Sequence, residues 1–328
     1  MNTIAKPLAS NMASRPFSPA SVLHRLMLPA FVVVICIVTA IFEPRFLSSQ
    51  NLLNLSVQLM PLLIIAVGQS FTIIGGGLDL SMGAVLSFAG VVGALVMQQF
   101  GVFPGVLAML LLGCLAGALN GLVIAFLRGS ALVVTLGMTS IAQALALMLS
   151  NGTPVFDLPG GFVEGLGYTP ILGIPAMVWI GLATVLSAAI VLRKTVFGRY
   201  LYAIGSNRAA AYKSGVNVKV CTLLIYVLSG LASGIGAVVV TAWTSSAQPI
   251  AAPDITLHSI AAVVLGGVAL TGGRGGMYEV VCGVLILGML SNVMNMIGVS
   301  SYFQMLAIGC VIIVAVSLDR FRRSAATP

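Results

Sequence analysis

Residues 102–127 read VFPGVLAMLLLGCLAGALNGLVIAFL, and none of these side chains carries a charge. A helix needs about 20 such residues to cross the roughly 30 Å of hydrocarbon in a bilayer, so this stretch predicts a membrane-spanning helix. The same character extends over all 328 residues, of which 59% are hydrophobic and only 7% are charged, whereas soluble domains carry about 25% charged residues. The sequence therefore predicts an all-α integral membrane protein. It excludes a soluble enzyme, a nucleic-acid-binding protein and a secreted scaffold, because so few ionisable side chains cannot cover a water-exposed surface.

About ten apolar runs in the chain are candidate membrane spans. They lie near 27–42, 52–74, 82–99, 102–127, 131–150, 172–192, 220–243, 257–271, 279–297 and 301–318. The first run follows three basic residues, as the apolar part of a signal peptide does, but it begins only at residue 27 and lacks a small-residue cleavage site. We therefore interpret it as a transmembrane helix.

The basic residues predict the orientation of these spans. With the N-terminus in the cytoplasm, only Arg45 of the 15 Lys and Arg residues lies outside, in agreement with the positive-inside rule. The prediction is a cytoplasmic tail at 1–26, a transmembrane domain at 27–318 and a second cytoplasmic tail at 319–328. The longest cytoplasmic connection, 193–219, is too short to fold as a separate domain, and the chain has no GxxxxGK[ST] nucleotide-binding loop. Energy conversion must therefore take place in the membrane or on another chain.

Two glycine-rich stretches, Gly75–Gly77 and Gly272–Gly276, fall at predicted cytoplasmic ends of spans. This placement hints at a duplication, although the similarity of the two stretches is too weak to assign a repeat; if each half had five helices, they would form the inverted repeat of many transporters. We expect a turn or gate at Gly76, Gly77, Asp79, Gly273 and Arg274. Two interpretations of Asp79 stay open: it or Ser81 caps the following helix, or Asp79 belongs to a cytoplasmic gate or to a contact with a partner.

Uncharged polar side chains are spread through the predicted spans, with no row of carboxylates among them. Such amide and hydroxyl groups either join helices by hydrogen bonds or line a path for a neutral polyhydroxylated solute, and both interpretations stay open. The wider set includes Thr139 and Gln143. As the translocation path we predict Gln69, Asn120, Thr135, Asn292 and Asn295. No metal site is predicted, because His258 has no second ligand on its helix face.

The cytoplasmic connection contains the pattern of a short capped helix. Asn207 can cap a helix from Arg208 to Ser214, and Gly215 can end it in the left-handed conformation. Such a helix can dock a partner protein, or the positive charges of the loop can simply set the topology. The residues alone leave both interpretations open.

Several sequence blocks occur in order along about residues 50–320. They are Gly76-Gly77-Leu78-Asp79-Leu80-Ser81-Met82-Gly83, Leu119-Asn120-Gly121-Leu122-Val123, Val134-Thr135-Leu136-Gly137-Met138, Gly198-Arg199-Tyr200-Leu201-Tyr202-Ala203-Ile204-Gly205, Ala261-Ala262-Val263-Val264-Leu265-Gly266-Gly267, Gly272-Gly273-Arg274-Gly275 and Gly298-Val299-Ser300-Ser301. With these blocks the sequence resembles the permease subunits of bacterial ATP-binding-cassette importers for monosaccharides, the ribose, xylose, arabinose and galactoside group. It departs from that family at Arg208, Ala209 and His258, where the family commonly has Pro, Glu and Asp.

The resemblance implies a multi-pass protein of the bacterial inner membrane that works with partners. These are a second permease chain, identical or paralogous, a cytoplasmic ATPase that holds ATP and Mg²⁺, a periplasmic sugar-binding protein and membrane lipid. It implies no cofactor on this chain and no nucleic acid. The helix at 206–215 matches the position that docks into the ATPase, so the residues expected to couple the two chains are Gly198, Arg199, Gly205, Ser206, Asn207, Arg208, Ala209, Lys213 and Gly215.

The expected function is import of a monosaccharide or similar neutral polyol by alternating access, with ATP hydrolysis on the partner, so that this chain is not itself an enzyme. Three alternatives remain: a permease of the same plan for another solute such as branched-chain amino acids, an autonomous secondary transporter or facilitator, and a membrane scaffold or receptor. An autonomous transporter would move its solute without ATP or a binding protein.

Overall fold

A computed structural model describes residues 19–300, 302–310 and 313 as a bundle of mostly apolar helices. The α-helices are α1 (Pro19–Phe42), α2 (Ser49–Ile74), α3 (Met82–Phe100), α4 (Val102–Phe126), α5 (Ala131–Leu149), α6 (Gly160–Phe162), α7 (Ala176–Lys194), α8 (Val196–Ser206), α9 (Arg208–Lys213), α10 (Val218–Thr244), α11 (Ile255–Leu265) and α12 (Met277–Met296). A 3₁₀ turn lies at Pro44–Leu47 and a π-helical turn at Val163–Tyr168. The strands β1 (Pro170–Ile171) and β2 (Ile174–Pro175) form a small antiparallel hairpin.

Seven helices of the described residues are long and apolar enough to cross a membrane, namely α2, α3, α4, α5, α7, α10 and α12. Each agrees with a predicted span to within about four residues, so the prediction of a helical membrane protein is confirmed. Helix α1 covers the predicted span at 27–42 and begins at Pro19, inside the predicted tail. Most of the predicted span at 301–318 lies outside the described residues. The count of ten spans, the cytoplasmic termini and the five-plus-five repeat therefore stay predictions.

The predicted span at 257–271 is not one continuous helix. Helix α11 has 11 residues, which at 1.5 Å per residue cover only about half of the hydrocarbon thickness. The helix ends because Gly267 adopts a φ of +103°. The amide of Val268 then donates to the carbonyl of Val263 (3.1 Å), and the amide of Gly267 donates to that of Val264 (2.9 Å), which together form a Schellman motif. The chain after α11 continues as irregular backbone through the second glycine stretch.

Helix α10 lies at the centre of the bundle and packs against α4, α2 and α3. Its contact with α4 depends on glycines spaced four residues apart on both helices. A Cβ atom on Gly117 would overlap the carbonyl oxygen of Tyr226, and one on Gly230 would overlap that of Gly113. Small residues at this spacing allow backbones to approach closely in lipid. Helices α4 and α10 therefore form a closely packed pair at the centre of the bundle.

Candidate functional site

The predicted cytoplasmic connection between α7 and α10 folds into two consecutive capped helices. The hydroxyl of Thr195 accepts a hydrogen bond from the amide of Gly198 (3.1 Å) at the start of α8. The side chain of Asn207 accepts one from the amide of Ala210 (3.0 Å) at the start of α9. Gly215 follows with a φ of +83°. The predicted helix capped by Asn207 and ended by Gly215 is thus confirmed, with its last helical residue at Lys213.

Helix α8 was missed by the sequence analysis, although its sequence carries a signal. Its cap residue, Thr195, precedes buried residues at Gly198, Leu201 and Ile204, which recur every three positions. That spacing places them on one face of a helix. The expected coupling residue Gly198 lies where a Cβ atom would overlap the carbonyl oxygens of Val191 and Leu192, so it allows α8 to turn back closely against the end of α7.

The C-terminal end of α8 contacts both glycine-rich turns, in an arrangement that we call the glycine junction. The junction consists of the turn at 74–77, Gly205 with Ser206, and the turn at 272–276. The amide of Gly273 donates to the carbonyl of Ile74 (2.8 Å). A Cβ atom on Gly205 would overlap that same carbonyl oxygen and crowd the amide of Gly273. Three separate segments of the chain therefore meet here at backbone distance, with Gly205 between the other two.

A tyrosine on α8 adds a side-chain connection to the junction. The Tyr202 hydroxyl donates a hydrogen bond to the carbonyl of Gly275 (2.7 Å). Burial raises the pKa of Tyr202, the charge of Glu279 raises it further, and Arg193 opposes the shift. The hydroxyl therefore keeps its proton and remains a donor. Arg274, predicted as part of a turn or gate, has an exposed side chain, while its carbonyl accepts from the amide of Ala269 (3.2 Å) and closes the turn.

Asp79 is buried between α2 and α3, with 1% of its surface exposed. One carboxylate oxygen accepts hydrogen bonds from the hydroxyl (2.6 Å) and the amide (3.0 Å) of Ser81. The other accepts from the hydroxyl of Ser229 on α10 (2.7 Å). The Ser81 hydroxyl in turn accepts from the amide group of Asn120 on α4 (2.9 Å). Asp79 thus joins the segment after the first glycine turn to the α4–α10 pair.

These contacts refine the two interpretations of Asp79. Ser81 is the residue before the first turn of α3, and its side chain makes no capping bond to that turn. The Asp79 carboxylate accepts from Ser81 itself, so it orders the approach to α3. Because the carboxylate is buried, its hydrogen bonds are all made within this chain.

The five residues predicted for the translocation path lie at separate places in the bundle. Asn292 and Asn51 exchange amide hydrogen bonds (3.1 and 3.2 Å), and Thr135 donates to the carbonyl of Ala131 (2.8 Å). Asn120 contacts Ser81, as described above, and Asn295 accepts from Gln304 (2.8 Å). Gln69 is fully buried, and neither its Nε2 nor its Oε1 has a hydrogen-bond partner among the described residues.

A cavity of about 340 Å³ lies between α3, α5 and α11 and is lined by other polar residues. Its polar lining comes from Ser87, Thr139, Gln143 and Thr256. Thr139 donates to the carbonyl of Leu80 (3.0 Å) and Gln143 to that of Pro249 (2.7 Å). Thr139 and Gln143 were part of the wider polar set but were not selected for the path. Their four-residue spacing, which places both on one face of α5, is the signal that could have identified them.

Comparison with known proteins gives matches along most of the chain. Residues 51–316 match the model of a family described as "Branched-chain amino acid transport system / permease component". The ribose import permease protein of Escherichia coli K12 is 38% identical over 93% of this chain and 96% of its own length. The L-arabinose transport system permease protein of the same organism is 38% identical, covering 89% of each chain. Its D-allose transport system permease protein is 34% identical over 88% of this chain and 90% of its own. No solved structure matches the chain.

Proposed function

Because the chain belongs to the permease-component family matched over residues 51–316, we propose that it is the membrane-spanning subunit of an ATP-binding-cassette importer that carries a monosaccharide. The resemblance to the monosaccharide permeases is confirmed by the matched relatives. The chain is a multi-pass protein of the inner membrane and a transport component rather than an enzyme. The family description mentions amino acids, whereas the relatives named above are permeases for ribose, arabinose and allose, and this favours a sugar as the solute.

The observation that carries the proposal is the position of Gly205 in the glycine junction. Helix α9 presents Arg208, Tyr212 and Lys213 as exposed side chains, and it follows directly on α8, whose last residues contact both glycine turns. A partner ATPase that binds α9 can therefore move α8, and α8 can displace the two turns. One turn connects α2 with α3, and the other connects α11 with α12, so a single displacement reaches four helices. The partner would hold the ATP and Mg²⁺.

We place the solute path beside the cavity between α3, α5 and α11. Hydroxyl and amide groups line it, as suits a solute that exchanges many hydrogen bonds and carries no charge. Thr139 and Gln143 extend the five predicted path residues, whose role stays a prediction. Helix α5 also leaves Val133, Ile141 and Met148 exposed along one side of the helix. This apolar face is our proposed contact with a second permease chain, identical or paralogous, which would complete the pore.

The partners can be tested by gentle extraction of the tagged chain from its native membrane, followed by mass spectrometry of every co-purifying protein. We expect recovery of a nucleotide-binding ATPase, because this chain lacks a nucleotide-binding loop of its own. The variant Tyr212→Asp/Lys213→Asp introduces a negative charge at one exposed position of α9 and reverses the charge at the next, so it should lower recovery of the ATPase. Repeated recovery of the folded chain alone, with or without the substitutions, would instead favour an autonomous transporter.

A further inference from the structure

A second cavity, of about 1330 Å³, lies between α9, the start of α10 and the turn that joins α4 to α5. Four basic residues line it: Arg128, Arg208, Lys213 and Lys219. Among the described residues, no acidic side chain lines it. We call it the basic cavity. The lining also includes the buried residues Thr72, Ile124 and Tyr226, together with the three glycines of the first turn of the glycine junction, Gly75–Gly77.

Within the described part of the chain, none of the four cations forms an ion pair with a carboxylate. The one ion pair found among the described residues joins Arg45 to Glu43, which lie on the predicted outer side. Within the cavity, the Arg208 guanidinium donates only a long hydrogen bond to the Thr222 hydroxyl (3.4 Å), and the Lys219 ammonium lies 5.7 Å from the centroid of the Phe126 ring. Like charges that share one cavity repel each other, and an anion placed among them would remove that repulsion.

Exposed apolar side chains lie on the same helix ends as the cavity, next in sequence to lining residues but outside the lining itself. Phe126 and Leu127 at the end of α4 are 45% and 70% exposed, and Val220 and Leu224 near the start of α10 are both 42% exposed. The basic residues Arg128 and Lys219 directly follow or precede these apolar positions in the sequence. The helix ends that form the cationic cavity therefore also carry exposed apolar side chains, and Phe126 is the one nearest to a cation, Lys219. A soluble anion would satisfy only the first of these features, whereas an anionic amphiphile satisfies both.

We propose that the basic cavity binds the phosphate-bearing headgroup of an anionic membrane lipid, whose acyl chains cover the exposed ends of α4 and α10. Basic pockets between helices on the cytoplasmic side suit such headgroups. Arginine and lysine contribute differently, since guanidinium groups can bind phosphate oxygens in pairs, whereas ammonium groups act as point charges. Because the cavity extends from α9 to the first glycine turn, a lipid bound there would connect the coupling helix to the junction.

The test measures lipid retention by the purified full-length chain, titrated with phosphatidylglycerol or phosphatidylcholine and observed by native mass spectrometry. We compare the variant Arg128→Gln/Arg208→Gln/Lys219→Gln with the matched variant Arg193→Gln/Lys194→Gln/Arg199→Gln. The second set removes three exposed cations that do not line the basic cavity. The wild type and the matched variant should both retain phosphatidylglycerol in preference to phosphatidylcholine. The cavity variant should bind it about fivefold more weakly for each cation removed, or about a hundredfold in all.

Two further comparisons distinguish the binding of a lipid from a folding defect and from the binding of a soluble anion. The variant Arg128→Lys/Arg208→Lys preserves the charges and should restore most of the binding, which a general folding defect would not allow. Thermal stabilisation by millimolar inorganic phosphate as large as that by phosphatidylglycerol would overturn the proposal in favour of a soluble anion. The proposal would also be overturned if the cavity variant lost its co-purifying ATPase while it retained lipid normally, since the cations would then bind a protein partner.

Discussion

Replacing Gly205 by alanine is expected to reduce solute uptake about tenfold while the amount of chain in the membrane stays unchanged. The added Cβ atom would overlap the carbonyl oxygen of Ile74 and crowd the amide of Gly273. Neither neighbour is a flexible side chain, so the backbones must separate. Overpacking of this kind costs about 1–3 kcal/mol, and about 1.4 kcal/mol corresponds to a factor of ten in an equilibrium. Uptake of labelled sugar by cells, normalised to chain in the membrane fraction, measures the effect.

Two other glycines serve as controls for this substitution. Gly215→Ala places a Cβ atom in open space at a φ of +83°, so it introduces local strain of about 1–2 kcal/mol without a collision at the junction. It should reduce uptake less than Gly205→Ala does. Gly309→Ala meets no atom within 4 Å and has no positive φ, and it should leave uptake unchanged. Normal uptake by a correctly inserted Gly205→Ala chain would count against coupling through the junction.

Asp79→Ala is expected to lower the thermal stability of the purified chain more than any substitution of an exposed acidic residue. The carboxylate accepts three hydrogen bonds, two from Ser81 and one from Ser229. Alanine would leave these buried donors without their acceptor, at a cost of about 1–3 kcal/mol for each donor that finds no other partner. The α3 end of the first glycine turn would separate from α10. The midpoint of thermal unfolding in detergent measures the loss.

The near-isosteric substitutions Asp79→Asn and Asp157→Asn distinguish two effects on stability, the loss of the Asp79 hydrogen bonds and the loss of side-chain volume. Asp79→Asn keeps the shape but replaces one acceptor oxygen by a donor, so it should destabilise the chain less than alanine does. Asp157→Asn makes the same chemical change in an exposed loop and should have no effect on the midpoint. Ser229→Ala removes one donor and should lie between Asp157→Asn and Asp79→Ala. Equal midpoints for Asp79→Asn and Asp157→Asn would contradict a structural role for these hydrogen bonds.

The sequence predicts the long spans well because each is decided by the local density of apolar residues. Residues 102–127, for example, contain no charge to interrupt a helix and form α4 almost in full. The cap of α9 at Asn207 is equally local, since it depends on residues three positions apart. The predicted span at 257–271 was wrong as a continuous helix because Gly267 ends α11, and apolar character alone does not show where a helix ends.

The glycine junction and the cavities depend on contacts between distant segments. The sequence placed both glycine stretches at cytoplasmic ends, but it carried no signal that Gly205 lies between them. Polar residues raised the same difficulty, because an amide that joins two helices and one that faces a cavity look alike in sequence. Asn292 proved to pair with Asn51, whereas Gln143, which was not selected, lines the cavity beside α5.

Sugar uptake into liposomes that contain the co-purified assembly tests the central claim most directly, namely that this permease depends on a separate ATPase. Ribose, arabinose and allose are supplied outside with the binding protein, and ATP with Mg²⁺ is enclosed inside. We predict uptake of at least one of these sugars only when the ATPase, ATP and the binding protein are all present, and its loss with a non-hydrolysable ATP analogue. Uptake at the same rate by the purified chain alone, without ATP, would contradict the account.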